Sequence, residues 1–342
     1  VLIRRAFALA LGALLPLAVS TPVRADDRVI GTAARDAGLV LVNGAGGTAP
    51  ADLLSLRIAD QVVRVYCIDF AHEMPSGAGY LESSWRDAQV PNLGKIQWIL
   101  WHGYPNVPAA TLIASVGGST APIAGEDIER VAYAGTQAAI WSLSDPGRFA
   151  LGAYMAGQAG LPTEAEYDLV SKIYEYLRGA VPAQLENEPA PPLKIEPPIQ
   201  AGMAGELIGP YTVISGGGAV NLTAHGGEIV DQDGHPIGAV PSGGRFWVLS
   251  DDSGHVSVSA TGLGEVQVGR VFLHANGQKL ILATDARTAL SVTATATFTA
   301  KPSGLPVTGA SVTGAVVAGV LLLAAGGLLV SAMRRRRIRF TV

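Results

Sequence analysis

The chain of 342 residues holds one cysteine, Cys67, within Val65-Tyr66-Cys67-Ile68-Asp69. Four uses of such a thiol compete. It can be an inert core residue, since Cys packs as a small hydrophobe. It can pair with a cysteine of another molecule. It can bind metal, but a structural zinc needs several Cys or His at close spacing, and the chain has six His in all. It can act as a nucleophile, with His72 or His102 as the base. No local signature of a known cysteine hydrolase surrounds it. No metal and no cofactor is expected. Residues two apart in a strand share a face, which puts Val65, Cys67 and Asp69 together and Tyr66 opposite. Asp69 is then a candidate for orienting or handling a proton, and Tyr66 a structural residue.

The elements that must hold this thiol are readable on either side of it. Leu39 to Val42 reads as a strand closed by Asn43-Gly44, and Leu53–Ile58 with Val62–Phe70 as a hairpin-like pair turning near Asp60-Gln61. Ile96 to His102 reads as a short helix stopped by Gly103 and Pro105, and Ile128 to Leu143 as a longer one ended by Asp145-Pro146-Gly147. Thr163-Glu164-Ala165-Glu166 is a capping box. It opens a helix whose Leu169, Val170, Ile173, Tyr174 and Leu177 recur at helical spacing before Gly179. A Pro-rich stretch from Glu186 to Pro198 reads as a linker. Beyond it come seven short β-rich runs: 211–214, 220–223, 246–249, 256–260, 271–274, 280–283 and 290–298. Turn residues separate them, and they suggest an immunoglobulin-like sandwich.

Charge is distributed unevenly. The formal net charge is -4, but all 28 acids lie between residues 26 and 308, together with only 16 of the 24 basic residues, a local balance of −12. That excludes a nucleic-acid partner of the usual basic kind. The remaining arginines sit at the two ends. At the front, Arg4-Arg5, an apolar run from Ala6 to Val19, and Val23-Arg24-Ala25 form a signal peptide pattern, with cleavage expected after Ala25. The leading Val reads as an alternative initiation codon. At the back, Leu305-Pro306-Val307-Thr308-Gly309 precedes an uncharged stretch over 310–333, long enough to span a bilayer, and then Arg334 to Arg337. Pentapeptide, span and basic tail together resemble the sorting signal of Gram-positive cell-wall proteins. The resemblance implies that a sortase cuts between Thr308 and Gly309 and joins Thr308 to a peptidoglycan amine.

A further segment changes the weight among the four uses of Cys67. Ala134-Gly135-Thr136-Gln137-Ala138-Ala139-Ile140-Trp141, taken with Tyr66-Cys67-Ile68-Asp69 and with Trp101-His102-Gly103-Tyr104-Pro105 between them, resembles the thioester domain of Gram-positive surface adhesins. The resemblance covers roughly 35–180. It implies an internal thioester between the Cys67 sulfur and the Gln137 side-chain carbonyl, closing a loop of about 70 residues. It also implies single-use acyl transfer to a partner amine, a Lys on a host or environmental surface protein, rather than enzymatic turnover. Thr136, Asp69, Tyr66 and Trp141 become supporting residues. If Thr136 caps a helix starting there, the helix N-terminus supplies the oxyanion donors; a helix unbroken from Ile128 removes that possibility. Trp141, Ile140 and Trp98 read chiefly as core residues that keep water away.

The resulting expectation is an α+β thioester domain followed by an all-β immunoglobulin-like sandwich, with a C-terminal transmembrane helix in the precursor. Its parts are a signal peptide (1–25), the thioester domain (26–185), a linker (186–200), a stalk (201–300), the stalk end with sorting motif (301–309), the span (310–333) and a cytoplasmic tail (334–342). The protein is expected to be exported and anchored to the wall, touching membrane only through the precursor helix. A passive wall or pilus-type protein with an unreactive Cys67, and a secreted cysteine hydrolase or transglutaminase-like enzyme, stay open as alternatives.

Overall fold

Cys67 is the last residue of a strand built into a closed barrel. The computed structural model describes residues 28–123, 125–156, 161–183, 186–198, 201–301 and 312–337. The signal peptide and sorting motif, with Ala25, Leu305, Pro306, Thr308 and Gly309, lie outside them. The first half contributes β1 (Ile30–Val42), β2 (Thr48–Ile58), β3 (Gln61–Cys67) and β4 (Gly79–Ser83). Five helices follow: α1 (Trp85–Ala88), α2 (Leu93–His102), α3 (Ala109–Ser115), α4 (Gly125–Ser144) and α5 (Glu164–Ala180). The capping box at the start of α5 forms as read, with Thr163 Oγ1 accepting from Glu166 N and Thr163 N donating to Glu166.

Eleven more strands complete this unit. They are β5 (Leu193–Glu196), β6 (Gly202–Met203), β7 (Leu207–Ser215), β8 (Val220–His225), β9 (Glu228–Val230), β10 (Ala239–Val240), β11 (Arg245–Leu249), β12 (Gly254–Val266), β13 (Val271–Leu273), β14 (Leu280–Leu282) and β15 (Ala286–Thr299). Two sheets, β10-β8-β12-β15-β6 and β5-β7-β11-β9, enclose one apolar core drawn from Tyr211, Val213, Leu222, Phe246, Val248, Val258 and their neighbours.

The seven runs expected to make one immunoglobulin-like sandwich do not stay together. Two of them, β13 and β14, leave the sandwich and close the barrel in the order β1-β2-β3-β14-β13-β4. Leu280 pairs with Cys67 and Ile281 with Tyr66, while β13 pairs with β4. This hairpin is an excursion between β12 and β15, which pair with each other along their whole length. The stretch 271–283, assigned by sequence to the stalk, therefore supports the strand that carries the thiol. The linker also differs from expectation. Its residues Leu193–Glu196 form β5, paired with β7. Proline is tolerated beside an edge strand, and β5 is an edge between Pro192 and Pro197.

The barrel buries one face of α4. Val131, Ala132, Tyr133, Ala134, Ala138, Ala139 and Ile140 are all fully buried, as suits a helix hemmed in on every side by α2, α3, α5 and strands β1 to β3. Gly135 makes the α4–α5 approach possible, since a Cβ there would lie 2.7 Å from Ile173 Cβ.

The second unit, from Ala300 onward, contains α6 (Val312–Arg337), with Leu321 to Leu323 exposed. Among the described residues no helix is long and apolar enough to cross a membrane.

Candidate functional site

Gln137 projects from the middle of α4 onto the end of β3. Its carboxamide docks on the backbone of Cys67 itself: Cys67 N donates to Gln137 Oε1 at 2.9 Å, and Gln137 Nε2 donates to Cys67 O at 2.8 Å. Both residues are 1% exposed. The sulfur is held by the turn that follows the strand, with the thiol donating to Asp69 O at 3.2 Å and Asp69 N donating to the sulfur at 3.3 Å.

Tyr133, one helical turn before Gln137, ties α4 to the barrel. Its hydroxyl donates to Val65 O at 2.8 Å and accepts from Leu54 N at 3.2 Å. Tyr66 lies against it, ring centroids 4.5 Å apart, and donates to Tyr104 O at 2.5 Å. Tyr133 was not singled out by sequence. Its position four residues before Gln137, on the same helix face, was the available signal.

Thr136 does not cap a helix. α4 runs unbroken from Gly125 to Ser144, and Thr136 Oγ1 donates back to Ala132 O at 2.8 Å. The N–H groups around Gln137 are thereby committed to the helix. The donor that faces the Gln137 carbonyl is instead the Cys67 N–H. Thr136 serves packing: its Oγ1 accepts from Tyr104 N at 3.3 Å, and its methyl fills the space beside Gly103, where a Cβ would come within 2.7 Å. Gly103-Tyr104-Pro105 is thus the surface against which α4 is seated.

Asp69 falls past the strand end, so the shared strand face expected for it does not hold. Its carboxylate accepts from Ala71 N and meets His72 Nδ1 at 2.9 Å. Neither His72 nor His102 hydrogen-bonds the thiol. His102 stacks on Trp98 at 3.9 Å and pairs with the Trp98 carbonyl. Burial pushes the Cys67 thiol up to about 12, opposed by the Trp141 indole and the Asp69 backbone, and reinforced by the charges of Asp145 and Asp69. Trp141, one turn after Gln137, is 3% exposed and clamped against Phe70 and Phe149 at 5.2 and 5.1 Å.

A cleft of about 80 Å³ opens onto Cys67, Gln137 and Trp141. Residues that sequence reasoning missed form its walls, including Arg35, Asp52, Glu73 and Gln278. Gln278 comes from the β13–β14 hairpin, which also fixes the far side of the site through Ile68 N donating to Lys279 O at 2.9 Å. No local pattern around residue 278 points to residue 67, because strand partners are chosen by packing and not by sequence distance.

Residues 64–183 match the family model of the thioester domain. The matched segment runs from β3 to just past α5 and includes both Cys67 and Gln137. Among solved structures the chain is similar to the thioester domain of the Enterococcus faecium TIE86 protein, at 16% identity over 82% of this chain and 97% of that one, with a TM-score of 0.35. It is similar to the Bacillus anthracis TIE protein, at 14% identity over 79% of this chain and 49% of that one, TM-score 0.31. It is also similar to the thioester domain of the Staphylococcus aureus TIE protein, at 13% identity over 80% and 100%, TM-score 0.28. No curated protein sequence matches it.

Proposed function

We propose that Cys67 and Gln137 form an internal thioester, and that the protein uses it once, as a surface adhesin, to attach covalently to a partner amine. The observation that carries this reading is the carboxamide of Gln137 hydrogen-bonded at both ends to the backbone of the chain's sole cysteine. In formation, Cys67 Sγ attacks Gln137 Cδ, and the thiol proton leaves with Nε2 as ammonia. The Cys67 N–H stays on the oxygen through the tetrahedral intermediate, as an oxyanion donor. The thiol's upward shift means the proton must travel to the amide nitrogen as the C–S bond forms, since little free thiolate exists at neutral pH.

The finished thioester is an acyl donor. A partner Lys fits the approach: the cleft is narrow, and its wall carries the carboxylates of Asp52 and Glu73 beside one guanidinium, Arg35. Unbranched amines such as methylamine and n-butylamine are expected to label Gln137 at similar rates. tert-Butylamine is expected to react at least about tenfold more slowly, because its branched carbon meets the walls. Equal rates for all three, read by intact mass against time, would contradict the narrow approach.

The same proposal includes the terminal segments. Export with cleavage after Ala25, sortase transfer at Thr308–Gly309 to peptidoglycan, and temporary membrane retention through residues 310–333 rest on the sequence patterns. They would leave residues 26–308 on the outer surface of the wall, the barrel displayed and the chain end tethered. The test of the central step is the intact mass of the purified protein with and without methylamine.

A further inference from the structure

Among the described residues, three buried side-chain atoms lack a hydrogen-bond partner: Tyr80 Oη, Gln97 Oε1 and Trp141 Nε1. An unpaired buried donor is unfavourable and calls for an explanation. Only Trp141 lines the cleft shared by Cys67 and Gln137. Its ring packs on Phe70 and Phe149, a task that any aromatic side chain could perform. Packing therefore accounts for the ring and leaves the N–H unexplained.

The acceptors around the reacting atoms narrow its purpose. Gln137 Oε1 already receives the Cys67 N–H, and Cys67 O receives Gln137 Nε2. The sulfur receives one N–H, from Asp69. Release of the thioester is the moment when the sulfur needs more, because the C–S electron pair ends on it. We propose that the Trp141 indole N–H is the donor that stabilises the Cys67 sulfur as the C–S bond breaks. This rests on the thioester reading above. Among the influences on the thiol, the indole is the strongest of those that favour the ionised form.

The step balances as follows. The partner nitrogen, having given one ammonium proton to solvent, attacks Gln137 Cδ. The C–N bond forms and the C–S bond breaks. The sulfur departs as a thiolate held by Trp141 Nε1–H and Asp69 N–H, then takes the second proton from the new amide nitrogen. The indole keeps its own proton throughout.

Trp141→Phe tests this, since it keeps an aromatic ring and removes only the donor and some volume. Two rates are measured: methylamine consumption of the thioester by intact mass, and alkylation of Cys67 by iodoacetamide after methylamine quenching. Both are expected to fall by about tenfold to hundredfold, in line with the loss of one donor at a reacting centre. A purely structural role gives the opposite sign, because loosened packing exposes the site and speeds both reactions. Rates unchanged within about twofold, or raised, overturn the proposal. If the variant forms no thioester, alkylation of its free thiol is compared with that of quenched wild type by the same criterion. If wild type itself never loses ammonia, the thioester reading fails, while the alkylation arm still reports whether the indole acts on the sulfur.

Discussion

Replacing Arg270 with alanine is expected to lower the unfolding free energy by about 3–5 kcal/mol. Arg270 is 4% exposed, just ahead of the hairpin that closes the barrel. Its Nε donates to Glu82 Oε1 at 2.5 Å, and its Nη2 contacts the same carboxylate and Ser83 O. Its Nη1 reaches Glu188 Oε1 at 2.6 Å and Pro189 O at 3.0 Å. Glu188 in turn accepts from Trp85 N. One guanidinium thereby joins β4, the Pro-rich connection and the approach to β13. Removing it leaves the Glu82 carboxylate buried and unpaired. Burial already raises the Glu82 carboxyl above its ordinary value, and Arg270 is the main influence opposing that rise. Without Arg270 the folded-state value climbs further. A group raised in the folded state stabilises the fold while protonated and loses that contribution as pH climbs through its folded value. The variant's deficit should therefore be larger at neutral pH than in mild acid. Denaturant unfolding at both pH values checks this; a deficit below about 1 kcal/mol, or one independent of pH, would contradict the clasp.

Loss of the proposed thioester is the second large effect. A covalent bond from residue 67 to residue 137 would close a loop of about 70 residues, and chain-entropy arguments developed for disulfides give about 4 kcal/mol for a loop of that length. Methylamine quenching, which leaves the fold and changes one bond, is expected to remove up to that amount, as is Gln137→Ala. The measurement is the denaturant midpoint before and after quenching. An unchanged midpoint in protein whose mass shows complete labelling would mean that the bond does not tie the unfolded chain as the account requires.

The sequence revealed local matters well and distant ones poorly. A strand through Cys67, the helix carrying Gln137 and the capping box at Thr163 follow from periodicity and capping chemistry, which act over a few residues, although the strand stops at Cys67 and not at Phe70 as read. Which strand lies beside Cys67 does not. Leu280 is drawn there by barrel closure, and its short apolar run is equally suitable for a sandwich, so β13 and β14 were placed in the wrong sheet. Thr136 misled for a related reason. A Thr next to Gln137 is a plausible cap in sequence, yet it sits inside α4, satisfied by Ala132 O and packed on Gly103. The oxyanion donor was misplaced with it, because the donor facing the Gln137 carbonyl belongs to Cys67, 70 residues away. Leu193–Glu196 became a strand despite flanking prolines because a sheet edge needs pairing on only one side.

The central claim is a covalent bond between Cys67 and Gln137, and mass spectrometry of the intact protein tests it most directly. The purified protein is measured fresh, under non-denaturing conditions, with and without methylamine, beside Cys67→Ala and Gln137→Ala. The account predicts a wild-type mass short by one ammonia, methylamine added at Gln137 with release of the Cys67 thiol, and neither effect in the two variants. A full wild-type mass with a free, titratable thiol would contradict it and leave a structural surface protein as the better description.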